Sequence, residues 1–291
     1  MHGVLVVDKP TGLSSAAAVH DVKRMLQIER AGHGGTLDPL ATGVLPVCLN
    51  AATKLAQFLL ADDKAYEATG VFGVETDTLD RTGRVTSRRA VSVTESALRA
   101  ALSGRVGEQD QVPPMFSAIK QAGVRLYHRA RAGEQVERTA RRIRIDRLEL
   151  IAFDPPQFRI AIACGKGTYV RSLLADLGTE LGCGAHLTEL RRTRSGRFTI
   201  EDAIPLAGIA RADLAAAVIP LGRVTALPTV IAQPHQVKPI RSGLQLPSDQ
   251  FAEQNEQLFQ IVDEHGTLVA IAHAEAGRIF YDRVFPDDAT S

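Results

Sequence analysis

The chain is short of cysteine, of long apolar runs and of net charge. Its three cysteines, Cys48, Cys164 and Cys183, are far apart, with no C-x-x-C and no nearby histidine pair. That spacing argues against a disulfide framework and a structural zinc site. All three sit in apolar or glycine-rich contexts and read as buried small hydrophobes. No apolar run approaches the roughly 20 residues of a membrane span. There is no internal repeat and no low-complexity tract. The first residues, Met1-His-Gly-Val-Leu-Val-Val-Asp-Lys9, lack a basic leader, and Asp8-Lys9 interrupts their apolar run. They predict no signal peptide and a cytoplasmic location.

What is there is a chain of 291 residues, 45% hydrophobic and 23% charged. Such a chain can bury a sizeable core and form one large domain plus a small one. The net charge of +1 hides an asymmetry. From Asp249 to Ser291 there are nine acids and two bases, a net of −7; residues 1–248 carry 32 bases and 24 acids, a net of +8. A basic body suits a polyanionic partner. On charge alone a solvated surface fits equally well.

Patterning predicts the elements. Val4–Val7 reads as a buried strand, and Ser14-Ser15 caps a helix through Leu26 with an apolar stripe of Ala18, Val19, Val22 and Leu26. A short helix is expected over Lys54–Leu60, a strand carrying Tyr66 over Ala65–Gly73, a polar loop over Thr76–Gly83 and a Thr94-capped helix to Leu102. Phe158–Cys164 alternates as a half-buried strand. Thr168 is expected to cap a helix through Val170, Leu173, Leu174, Leu177 and Leu181, and Leu187–Ser195 to form a strand. After Leu206 an alanine-rich helix is expected to about Val218, then a linker with short extended pieces from Pro220 to Pro234. From Val237 onward a small β domain is expected, with strands at Phe259–Val262, Val269–His273 and Ile279–Phe285. Residues 111–147 are rich in arginine and poor in apolar residues, with Phe116, Tyr127 and His128 interleaved. That mixture suits contact with phosphates and bases, or a solvated hairpin.

The stretch Arg30-Ala-Gly-His-Gly-Gly-Thr-Leu-Asp-Pro-Leu-Ala-Thr-Gly43 places one carboxylate, Asp38, in a glycine-rich turn. Pro39 biases Asp38 toward extended backbone. Gly32, Gly34 and Gly35 allow tight turns and a close approach by something bulky. Taken alone, a turn aspartate is the plainer reading.

Other segments change those odds. Leu5-Val-Val-Asp-Lys-Pro-Thr-Gly-Leu-Ser-Ser15, Arg30–Gly43, Lys64-Ala-Tyr-Glu67, Lys166-Gly-Thr-Tyr-Val-Arg171 and Gly182-Cys-Gly-Ala-His-Leu-Thr-Glu-Leu-Arg-Arg192 occur in this order. Together they resemble the motifs of the TruB family of tRNA pseudouridine synthases, over about Gly3 to Asp202. The resemblance implies an α+β fold: a mixed, largely antiparallel sheet with flanking helices, an inserted thumb at about 111–147 and a small C-terminal PUA-like β domain. It implies a catalytic domain over 1–222 and the small domain over 223–291. The implied activity converts uridine 55 in the tRNA T-loop to pseudouridine without cofactor or metal. A tRNA-folding role beside it is open, and a monomer is expected.

The resemblance also implies roles. Asp38 matches the catalytic aspartate, by attack on C1′, addition to C6 or removal of the 2′ proton. Arg171 matches the arginine that pairs with that aspartate; a guanidinium can hold a carboxylate bidentately and keep it ionised. Tyr66 matches the catalytic tyrosine that stacks on the target base and accepts or relays the C5 proton. Tyr169 resembles a second pocket tyrosine and Leu190 an apolar wall, although a strand leucine more often packs in a core. His33 matches the histidine that fills the gap left by the flipped nucleotide. Asp8-Lys9-Pro10 is expected to buttress the pocket floor and Lys9 to contact phosphate as an RNA-binding residue, and Arg141 and Arg142 to contact phosphate from the thumb. Two rival readings are a binding module that folds RNA and an RNA N-glycosidase. The glycosidase is disfavoured because glycoside hydrolysis wants a pair of carboxylates and the Asp38 motif supplies one.

Overall fold

The computed structural model describes residues 1–287 apart from 118, 122, 135, 208–210, 249–250, 252–257 and 286. By internal contacts the chain forms two compact units. One gathers Met1–Asp38, Val44–Leu60 and Gly196–Ser291; the other gathers Pro39–Gly43 and Ala61–Ser195. The chain passes from the first to the second at the Asp38–Pro39 bond.

In the second unit five strands run antiparallel to their neighbours in the order Ala185–Ser195, Lys64–Phe72, Gln157–Cys164, Arg141–Asp154, Gly107–Gln111. Thr42 and Gly43 pair in parallel with Arg191 and Arg192, which makes the sheet mixed. The alternation read in Phe158–Cys164 is real: Phe158, Ile160, Ile162 and Cys164 are buried. Phe158 stacks on Phe72 with ring centroids 4.3 Å apart. Helices Glu95–Ser103 and Val170–Glu180 belong to the same unit, and the second buries Leu173, Leu174 and Leu177. Thr94 caps the first as expected. Thr168 does not cap the second. Tyr169 holds that position and its side chain makes no capping hydrogen bond, while the Thr168 hydroxyl donates to the Gly165 carbonyl at 3.2 Å.

The arginine-rich stretch is more ordered at its ends than its composition predicts. Gly107–Gln111 and Arg141–Asp154 pair with each other, Arg141 opposite Gln111 and Arg142 opposite Asp110. Ile143 and Ile145 are buried while Arg141, Arg142 and Arg144 are exposed. A strand needs only every second residue to be apolar, so an overall count of apolar residues understated it.

In the first unit, strand Gly3–Lys9 pairs in parallel with Ile204–Pro205 and antiparallel with Ile219–Pro220. Strand Ala31–His33 pairs with the far end of Thr42–Leu49. Helix Ser15–Leu26 is capped by Ser14, which accepts the Ala17 N–H at 3.1 Å. The helix expected over Lys54–Leu60 is a 3-10 turn, Asn50–Leu55, followed by helix Ala56–Ala61. A separate sheet has the order Thr229–Ile231, Phe259–Val262, Leu268–Glu275, Arg278–Val284. Its residues Phe259, Ile261, Val269 and Ile279 form one core with Ile240 and Phe251. Leu268, Ile271 and Phe285 join Val4, Val6, Val44 and Leu55 in another. Pro220–Pro234 has the expected extended piece as strand Thr229–Ile231, and it is packed as well, with Leu221, Val224 and Ala232 buried. It leads into a helix the pattern did not reveal, Pro234–Arg241, with proline in its first turn and a capping box at Gln233. The alanine-rich helix is Arg211–Ala216; its expected start falls on 208–210, outside the described residues. Among the described residues no helix is long and apolar enough to cross a membrane.

Candidate active site

The Asp38 loop is held at both ends within the first unit. His33 closes its edge strand opposite Val47, and the Gly34 N–H donates to the Pro46 carbonyl at 2.9 Å. A Cβ on Gly34 would lie 2.8 Å from the Leu59 Cβ, so only glycine lets the loop lie this close. Leu37 is buried. Its N–H donates to the Ser15 hydroxyl oxygen at 2.8 Å, and its carbonyl accepts from the same hydroxyl at 2.9 Å. Asp38 follows at once, half-buried.

Lys9 lies on the same unit's central strand with no exposed surface. Its ammonium donates to the carbonyls of Leu13 at 2.6 Å and Pro10 at 2.9 Å. It braces the Pro10–Leu13 turn from inside. The expected phosphate contact of Lys9 fails on access, since a side chain with no exposed surface cannot meet an RNA backbone.

In the second unit the sheet register sets a side-chain constellation. Tyr66 pairs with Arg192 on one side and Ile162 on the other, and Leu190 pairs with Ala68 two residues along. Residues paired in register share a face, so Tyr66, Arg192 and Leu190 do so. Tyr66 is half-buried, whereas Arg192 is 1% exposed and Leu190 8%. Lys64, two residues before Tyr66 on the same face, is also buried. Burial pushes its ammonium down to about 8, against the pull of Asp62 and with the push of Arg192. Burial also raises the thiols, Cys48 to about 12 and Cys164 to about 11, which removes them as nucleophiles.

Tyr169 and Arg171 open the helix Val170–Glu180. The Gln111 side chain brackets Tyr169: its amide oxygen accepts the Tyr169 N–H at 2.8 Å and its amide nitrogen donates to the Tyr169 carbonyl at 3.1 Å. Arg171 is 4% exposed and lies 3.4 Å from the equally buried Asp80. The guanidinium also donates to the carbonyls of Thr78 at 3.0 Å and Phe116 at 2.9 Å. Asp80 in turn accepts from the Thr78 hydroxyl at 2.8 Å, the Thr82 N–H at 2.9 Å and the Thr82 hydroxyl at 2.6 Å. The loop read as merely polar is therefore the seat of Arg171. A carboxylate so filled with donors holds its neighbour; it is not set to activate water.

Arg141 and Arg142 stand exposed on their strand. Arg142 meets Glu108 at 3.3 Å and Asp110 at 3.8 Å, with all three side chains at least 61% exposed. Such pairs are worth little and exchange readily for another anion.

The TruB-family pseudouridylate synthase N-terminal domain matches residues 23–170, and the tRNA pseudouridylate synthase B C-terminal domain matches 171–224. The chain belongs to the TruB family of pseudouridine synthases. Among its relatives, tRNA pseudouridine synthase B of Aromatoleum aromaticum is 53% identical over 207 residues, 71% of this chain and 67% of that protein. The protein of the same name from Thiobacillus denitrificans is 43% identical over 281 residues, 95% of this chain and 93% of the relative. A solved Cbf5-Nop10-Gar1 complex contains a chain that is 28% identical, with a TM-score of 0.77, covering 99% of this chain and 86% of that one. The α+β architecture with a mixed sheet and flanking helices is thus a TruB-family pseudouridine synthase fold, and the chain is an enzyme of that class.

Within this family frame, sequence reasoning missed Ser15, Asp80, Gln111 and Arg192. Each acts on a residue the motifs did mark. Ser15 and Arg192 lie inside quoted motifs, yet no local pattern tells what their side chains touch.

Proposed function

We propose that this TruB-family enzyme converts uridine 55 in the T-loop of tRNA to pseudouridine. The observation that carries the proposal is the Asp38 loop, a carboxylate seated between a clamped Leu37 and Pro39 in a chain of this family. The names of its relatives support tRNA as substrate, as does likeness to a structure of H/ACA RNP bound to a substrate RNA, 27% identical with a TM-score of 0.76.

The reaction breaks N1–C1′ and forms C5–C1′; the C5 proton is accepted or relayed by Tyr66, and N1, which carried none in uridine, gains one. It is a balanced isomerisation that asks for no redox partner and no metal. We assign Asp38 as the carboxylate that acts on the ribose or base, and Arg171 as the cation that keeps the reacting carboxylate ionised. Tyr66 stacks on the base, Tyr169 and Leu190 wall the site, and Lys9 braces its floor. The target uridine is stacked inside a folded loop, and extruding it costs a few kcal/mol. His33 takes the vacated space. Arg141 and Arg142 meet phosphates from the thumb over residues 111–147. We assign residues 1–222 to catalysis and 223–291 to a small PUA-like β domain, supported by its four strands and partly separate core. The enzyme acts as a monomer in the cytoplasm, and a tRNA-folding role accompanies the chemistry.

Purified protein should release tritium from unmodified tRNA labelled at uridine C5, without metal or nucleotide. Free uracil in place of pseudouridine would establish a glycosidase instead. Asp38→Asn should abolish turnover and keep tRNA binding within about tenfold, because phosphate and shape contacts carry affinity. Retained turnover in that variant would remove Asp38 from the catalytic role, and an RNA-folding effect that survives it would separate the two activities.

A further inference from the structure

Two serines open the helix Ser15–Leu26, and its cap requires only one. Ser14 does that work through the Ala17 N–H. Ser15, 2% exposed, reaches across 22 residues to Leu37 and binds both its N–H and its carbonyl through one oxygen. A buried hydroxyl must find partners, but these partners are chosen on the residue immediately before Asp38.

The consequence follows from peptide geometry. The Leu37 carbonyl and the Asp38 N–H belong to one planar unit. Holding the Leu37 carbonyl fixes the plane from which Asp38 departs. On the other side Pro39 confines the Asp38 backbone to extended geometry. The buried Leu37 side chain anchors the same point. The backbone from which the carboxylate departs is then constrained on both sides.

We propose that Ser15 is a positioning residue for pseudouridine formation, its hydroxyl fixing the Leu37–Asp38 peptide so that the Asp38 carboxylate is aimed before RNA arrives. The proposal rests on the assignment of Asp38 as the reacting carboxylate.

The test is single-turnover conversion of C5-tritiated, unmodified tRNA by excess full-length enzyme, with tRNA affinity measured alongside. Ser15→Ala should lower the rate constant about 10- to 100-fold at full amplitude, since small misplacements of a reacting group cost about that much. Its affinity for tRNA should stay within about threefold, because phosphate contacts are untouched. Ser15→Cys keeps the side-chain shape at a slightly larger size with weaker hydrogen bonding and should fall between, and it decides the matter if the alanine variant does not fold. Ser14→Ala, which loses only the cap, should convert at the wild-type rate constant. A wild-type rate constant in the Ser15 variants, whether at full or reduced amplitude, would overturn the proposal, the reduced amplitude marking a purely structural serine. Asp38→Asn run in parallel separates the two claims: turnover by that variant would sink the assignment of Asp38 whatever Ser15 does.

Discussion

Arg171 and Asp80 form a buried ion pair 3.4 Å apart, 91 residues apart in the chain. Removing one partner of such a pair leaves the other charge uncompensated and costs about 3–5 kcal/mol. Asp80→Ala should therefore lower stability by roughly that amount in urea unfolding. Asp80→Asn retains an acceptor for the Thr82 N–H but loses the charge facing Arg171. It should fold, with a single-turnover rate constant reduced at least about tenfold if Arg171 must be oriented for catalysis. Turnover at the wild-type rate by Asp80→Asn would show that the pair serves stability alone.

Replacing Arg141 and Arg142 together with alanine should weaken tRNA binding and flatten its salt dependence by about two contacts' worth. The pairs of Arg142 with Glu108 and Asp110 are solvent-exposed, so unfolding free energy should move by less than about 1 kcal/mol. An unchanged salt slope would exclude both arginines from the RNA contact.

Gly43 has φ +99, and a Cβ placed there would lie 2.2 Å from the Arg192 carbonyl oxygen. Gly43→Ala combines a left-handed backbone with a backbone clash and should destabilise the fold by more than about 2 kcal/mol. A melting temperature equal to wild type would contradict the close approach of the two strands.

Lys64 carries a pH signature. Its ammonium is pushed down to about 8 in the folded chain from 10.5. The unfolded chain therefore binds the proton more tightly, and the penalty for folding is full below pH 8. It is relieved as pH rises from about 8 toward 10.5. Compared with Lys64→Met, the wild type should gain about 1–2 kcal/mol of relative stability between pH 7 and pH 10, solvent screening trimming the full linkage of roughly 2.5 kcal/mol. A constant difference across that range would show that the lysine is not desolvated.

Much of the local structure was legible. Ser14 and Thr94 announced their helices by a capping side chain, and the period-two burial of Phe158–Cys164 announced a strand. The failures have physical causes. The arms over Gly107–Gln111 and Arg141–Asp154 hide their strand pattern because their outward positions are charged and their inward ones few. Helix Pro234–Arg241 contains Pro239 and an average hydropathy too low to stand out, yet buried Ile240 and Gln236 hold it in place. For the site, Asp38, Tyr66 and Arg171 could be named only through motif resemblance. Asp80 could not be named at all, since its neighbours Thr78 and Thr82 look like any polar turn.

Residue identity and order were enough to mark the family, the succession of motifs and the loop in which Asp38 sits between glycines and proline. These depend on residue identity and on dihedral preferences that act over a few residues. Tertiary structure alone decided what holds the marked residues: Ser15 on Leu37, Gln111 on Tyr169, Asp80 on Arg171 and the Lys9 ammonium turned inward. Three of these contacts span 22, 58 and 91 residues of chain. The Lys9 ammonium reaches only four residues along, but burial turns it onto backbone carbonyls. Hydrogen-bond partners at such separations are set by how strands register and where burial leaves a polar group no water, and neither is written in local pattern.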